Sequence, residues 1–98
     1  MIIDLNVCSP AETLEAQMEH IGLELEEATI ALAKFRNEPT AKNRAEVLFE
    51  LLDVMNAAQT AICAEFYTSE IEAGVRYTNS KSYVRHYLQD MSVLEAEQ

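Results

Sequence analysis

Glu24 and Glu27, followed by Glu50 and Asp53, form two acidic pairs separated by residues 28–49. On an α-helix, residues three apart share a face, with Cβ atoms about 5–6 Å apart. Two such pairs on helices that pack antiparallel can point at one place. Their mutual repulsion is large, because two like charges about 4 Å apart cost on the order of 4 kcal/mol at an effective dielectric near 20. A cation between them removes that cost. Hard oxygen ligands without sulfur or imidazole suit Mg²⁺ or Mn²⁺, and carboxylate-held Mg²⁺ completes its shell with water and substrate phosphate.

The segments that must position these carboxylates read as helices. Ser9-Pro10-Ala11-Glu12 has the grammar of a helix start, with Ser9 as N-cap, Pro10 at the first helical position and Glu12 closing a capping box. A helix is expected from there to about Arg36. Its apolar residues Leu14, Met18, Ile21, Leu25, Ala28, Leu32 and Phe35 recur in steps of three and four, a seam for another helix. Glu24 and Glu27 flank this seam, whereas Glu12, Glu15, Glu19 and Glu26 fall on the solvated side.

Pro39 interrupts the pattern and Thr40 can cap a second helix, expected from Thr40 to about Phe66. Its apolar residues, from Val47 through Ile62, cover nearly half the helical wheel, which implies more than one packing partner. Glu50 and Asp53 lie at the edge of that arc. A third helix, capped by Thr68 or Ser69, carries Ile71 and Val75, with Gly74 weakening it. Residues 79–85 hold two of the basic residues, Lys81 and Arg85, and the tail spaces Val84, Leu88, Met91 and Leu94 helically. The expected fold is all-α: two long antiparallel helices plus shorter C-terminal helices, one domain over 1–98 with an N-terminal segment 1–8 and a tail 89–98.

Composition limits the function. The chain has 98 residues, enough for one small core that gains from a partner. With 17 acidic and 7 basic residues it carries a net charge of −10, which disfavours nucleic-acid polymers and acidic membrane surfaces. Cys8 and Cys63 match no metal spacing and are expected as reduced packing residues. Met1 to Val7 has no basic leader region and no apolar run approaches a membrane span, so a cytoplasmic location is expected. His20 and His86 have no second histidine to make a ligand pair, and no nucleophile elbow or glycine-rich phosphate loop is present.

The combination Glu24-x-x-Glu27, the intervening residues 28–49, and Glu50-Leu51-Leu52-Asp53-Val54 resembles the MazG-like all-α nucleoside triphosphate pyrophosphohydrolases, a superfamily that includes dimeric dUTPases. The segment Asn79 to Leu88 looks like the Asn-x-Lys-x-x-x-Arg stretch of phage-type members, while Leu23 stands where many members carry an additional Glu. The resemblance implies Mg²⁺-dependent attack of water on a nucleoside triphosphate, giving the monophosphate and pyrophosphate, as in nucleotide-pool house-cleaning. By the same resemblance Glu24, Glu27, Glu50 and Asp53 are the catalytic metal ligands, Asn79, Lys81 and Arg85 contact the triphosphate, and a homodimer or homotetramer completes a four-helix core. The competing reading is a non-catalytic acidic helical module that binds a protein through its seam. An acidic decoy for a nucleic-acid-binding protein is allowed by the charge but has no motif behind it.

Overall fold

The structure, a computed structural model, describes residues 3–81. Two long helices dominate: α1 spans Leu14–Asn37 and α2 spans Ala41–Glu65. A shorter helix, α3, occupies residues 68–81 of the described chain, and there is no strand among the described residues. The chain divides into two compact units between Glu65 and Phe66, so α3 is described by itself. Val84, Arg85 and the expected tail helix lie outside the described residues.

Helix α1 starts later than its sequence suggests. Thr13, not Ser9, is the N-cap: its backbone is extended and its side chain accepts from the Ala16 amide at 3.1 Å. Residues 3–10 carry no regular structure, and this extended stretch is tied to α2 by side chains. The Ser9-Pro10 start gives way because Thr13 caps equally well and leaves that stretch free for α2. At the other end the Glu38 amide donates to Lys34 O at 2.9 Å, and Lys34 and Arg36 complement the exposed carbonyls of the last turn.

The turn into α2 is built from polar bonds. Thr40 Oγ1 accepts from the Asn43 amide at 3.1 Å, as expected of an N-cap, and Asn43 Nδ2 donates to Glu38 O at 2.9 Å. Asn43 is buried while doing so, which satisfies its amide and fixes the reversal. Helix α3 also starts differently from expectation. The Tyr67 carbonyl accepts the first helical amide, from Ile71, and the Glu70 carboxylate reaches back to the Tyr67 amide at 3.0 Å. That reciprocal bond makes Tyr67 the cap in place of Thr68 or Ser69. Gly74 sits inside α3, and among the described residues nothing approaches the place a side chain would take there.

Helices α1 and α2 run antiparallel, as Gln17 Nε2 bonding Ala57 O at 3.1 Å and Lys34 Nζ lying 3.5 Å from Glu46 Oε2 require. The face of α1 withdrawn from solvent is Leu14, Gln17, Ile21, Glu24, Ala28, Ala31 and Phe35, in alternating steps of three and four. Opposite it stand Asn43, Val47, Glu50, Val54, Ala57 and Ala61 of α2. The period is the expected one, but the stripe is shifted. Met18, Leu25 and Leu32, expected in the seam, are 61%, 54% and 41% exposed. The buried core is made instead of Ala28, Ala31, Ala57 and Ala61, small side chains that let two backbones approach closely.

A second apolar stripe on α2, Leu48, Leu51, Met55 and Ile62, remains exposed beside Met18, Leu25 and Leu32 of α1. By length and composition α2 could also cross a membrane, a property it shares with core helices, and its apolar surplus lies on this exposed face. Cys8 and Cys63 are both exposed, not packed as expected, because neither position falls on the alanine seam.

Enlarging the seam tests this packing. Ala57→Leu should destabilise the hairpin by about 1–3 kcal/mol through overpacking. Ala33→Leu, on the exposed side of α1, should change stability by less than about 0.5 kcal/mol in the same urea titration.

Candidate metal centre

Because Glu24 and Glu50 occupy seam positions midway along their helices, the close approach of α1 and α2 brings them together. Carboxylate oxygens of Glu24, Glu27 and Glu50 all lie within 4.8 Å of one another. Glu24 and Glu50 are half-buried and Glu27 is exposed. Asp53, expected as the fourth member, stands outside this close group. It is exposed, yet near enough that its charge raises the pKa of both Glu24 and Glu50.

Exposed acidic groups commonly cluster without an ion. This cluster differs in that Oε2 of Glu24 and Oε2 of Glu50 are shut off from solvent and have no hydrogen-bond partner among the described residues. An unpartnered ionised oxygen out of water is costly, and a proton or a cation relieves it. Both carboxyls are accordingly held above the usual glutamate value of 4.5, chiefly by lost hydration and then by Glu27 and Asp53. The charge of Glu24 also pushes Glu50 upward. His20 opposes the shift at Glu24, its Nε2 lying 3.4 Å from Glu24 Oε1 one helical turn away.

Beside the carboxylates lies a polar cavity of about 220 Å³, lined by Cys8, Ser9, Gln17, His20, Glu24, Asp53, Asn56, Ala57 and Thr60. The sequence pointed to Glu24 and Asp53 but not to His20, Asn56 or Thr60. A signal was present: Asn56, Gln59 and Thr60 interrupt an otherwise apolar helix one and two turns beyond Asp53. The residues expected to meet phosphate are placed in part. Asn79 and Lys81 are exposed on α3, with Lys81 Nζ 5.3 Å from the centre of the Tyr77 ring, and Arg85 lies outside the described residues.

The raised carboxyls set the pH response of the protein without divalent cations. A carboxyl with a higher pKa folded than unfolded binds extra protons in the native state, so stability falls as pH rises. The window opens near 4.5 and extends upward through the raised values. Wild type should therefore melt at a higher temperature near pH 5 than at pH 7. Glu50→Gln should melt higher than wild type at pH 7 and show a weaker pH dependence, measured by thermal unfolding in chelator.

Comparison with protein-family models, curated proteins and solved structures finds no match, so the family resemblance rests on the motif residues alone.

Proposed function

We propose that this protein is a Mg²⁺-dependent nucleoside triphosphate pyrophosphohydrolase. The observation that carries the reading is the meeting of Glu24, Glu27 and Glu50 across the hairpin, with two oxygens that lack a hydrogen-bond partner among the described residues. These donors fit a hard divalent cation, Mg²⁺ or Mn²⁺, better than a softer metal. When bound, the cation neutralises carboxylate and phosphate charge. Glu24, Glu27, Glu50 and Asp53 would hold it, and one of the four orients the attacking water and takes its proton. Water adds at the α-phosphorus, the bridging oxygen leaves with pyrophosphate, and the nucleoside monophosphate remains. Asn79, Lys81 and Arg85 offset phosphate charge in a chain whose net charge of −10 would otherwise repel the substrate.

The exposed stripes on α1 and α2 favour association with a second copy, as homodimer or homotetramer. Each large apolar side chain left in water forgoes roughly 1.5–3 kcal/mol of burial. Leu48, Leu51 and Met55 are about half exposed, at 55%, 48% and 45%. The same stripes favour the second reading, a non-catalytic interaction module, in which the carboxylates are dispensable. Cytoplasmic location goes with either reading.

Pyrophosphate release from a panel of nucleoside triphosphates separates the two. The enzyme reading expects Mg²⁺-dependent turnover that Glu50→Gln lowers on the order of 100-fold in kcat. Lys81→Ala and Arg85→Ala should lower kcat/KM by more than Lys42→Ala, a charge control at the start of α2. Equal effects of all three would remove residues 79–85 from the site. Turnover of no nucleotide, with a stable complex of another protein, would favour the module. Light scattering should give at least a dimer at micromolar concentration, and a folded monomer would contradict association through the stripes.

A further inference from the structure

The extended segment before α1 is fastened across α2 by polar side chains. Gln59 Nε2 donates to Leu5 O at 2.8 Å, the Cys8 amide donates to Thr60 Oγ1 at 3.3 Å, and Asn56 Nδ2 approaches Cys8 Sγ at 3.2 Å. The Ala11 amide donates to Gln17 Oε1 at 2.9 Å, just before α1 begins. Apolar burial in this attachment comes from the half-buried Leu5, while Ile3 and Val7 are about half exposed. Beneath the segment Thr60 is only 1% exposed. Cys8 and Ser9 line the polar cavity together with Glu24 and Asp53.

Asn56 lines the same cavity, next to Cys8. Its Nδ2 is turned to the segment, while its Oδ1 is shut off from solvent without a partner. A wall that covers a polar cavity and is held by a few hydrogen bonds can open while the alanine seam stays packed. Local openings of this kind need far less free energy than unfolding of the core.

We propose that residues 5–9 are a movable wall of the substrate site: they open to admit the sugar and base of the nucleotide and close over them, with the phosphate end toward the carboxylate cluster. Asn56 Oδ1 accepts a hydrogen bond from a donor on that organic part. Gln59 is a positioning residue, because it acts through the wall and does not line the cavity, whereas Thr60 both holds the wall and lines the cavity. The proposal rests on the nucleotide reading given above, since it supplies that reading with the place for the part of the substrate that is not phosphate.

The test is amide hydrogen exchange followed residue by residue in the full chain, alone and with Mg²⁺ and α,β-imido nucleoside triphosphates, with calorimetry to establish which analogue binds. Without ligand, the Cys8 and Ala11 amides should exchange at least about tenfold faster than the seam amides of Ala28 and Ala57. A bound analogue should slow Cys8 exchange by at least about fivefold. Thr60→Val, which keeps shape and removes the acceptor, should abolish that slowing and raise KM at least about threefold with kcat within about twofold. Gln59→Met should act in the same direction, and both variants should keep the seam protection of the wild type. Cys8 exchanging only in step with Ala28 and Ala57 would show a fixed wall and overturn the proposal. Analogue binding that leaves Cys8 exchange unchanged would overturn the wall alone. Absence of binding by any analogue would overturn both the wall and the nucleotide reading.

Discussion

Four buried alanines, Ala28 and Ala31 on α1 and Ala57 and Ala61 on α2, allow the two helices to approach closely, and the acidic cluster depends on that approach. Glu24 lies one helical turn from Ala28, and Glu50 two turns from Ala57, on the same inward faces. The seam that excludes water from the alanines therefore also withdraws an oxygen of each glutamate from water. Packing free energy, gained along the whole hairpin, holds like charges where neither hydration nor a hydrogen bond compensates them. The raised carboxyl pKa values at Glu24 and Glu50 follow from this arrangement.

Polar bonds set the register in which the acids meet. Buried Gln17 bridges Ala11 and Ala57, near the open end of the hairpin, while buried Asn43 fixes the reversal at the other end. Buried amides of this kind are specific because a shift of register would leave each one unpaired. The N-terminal segment uses the same chemistry to attach to α2, through Gln59 and Thr60. Polar residues within an apolar helix thus fix where the chain lies, and the alanines fix how closely it packs.

Much of this was legible in the sequence. The two acidic pairs, the Pro39 break, the Thr40 cap and the extent of α2 follow from spacing and turn chemistry. What the sequence concealed was which stripe of α1 faces inward. Met18, Leu25 and Leu32 carry more hydrophobic weight than Gln17, Glu24 and Ala31, so apolar period alone selects them, while Leu14, Ile21, Ala28 and Phe35 face inward as their spacing suggests. Close helix packing selects the small residues instead and leaves the large ones for another surface. The start of α1 was concealed for a related reason: Ser9 and Thr13 are both good caps, and the choice rests on bonds from the upstream segment to residues about fifty positions away. His20 reads as an edge residue until the helix turn places it beside Glu24.

The central claim is that the close group of Glu24, Glu27 and Glu50 is a divalent-cation site, and its most direct test is Mn²⁺ binding followed by electron paramagnetic resonance. The account predicts saturable binding of Mn²⁺ at a fixed number of sites per chain, displaced by Mg²⁺ and lost in Glu24→Gln and Glu50→Gln, while Glu19→Gln on the solvated face binds as wild type does. Equal, weak and unsaturable Mn²⁺ binding by all four proteins would contradict it.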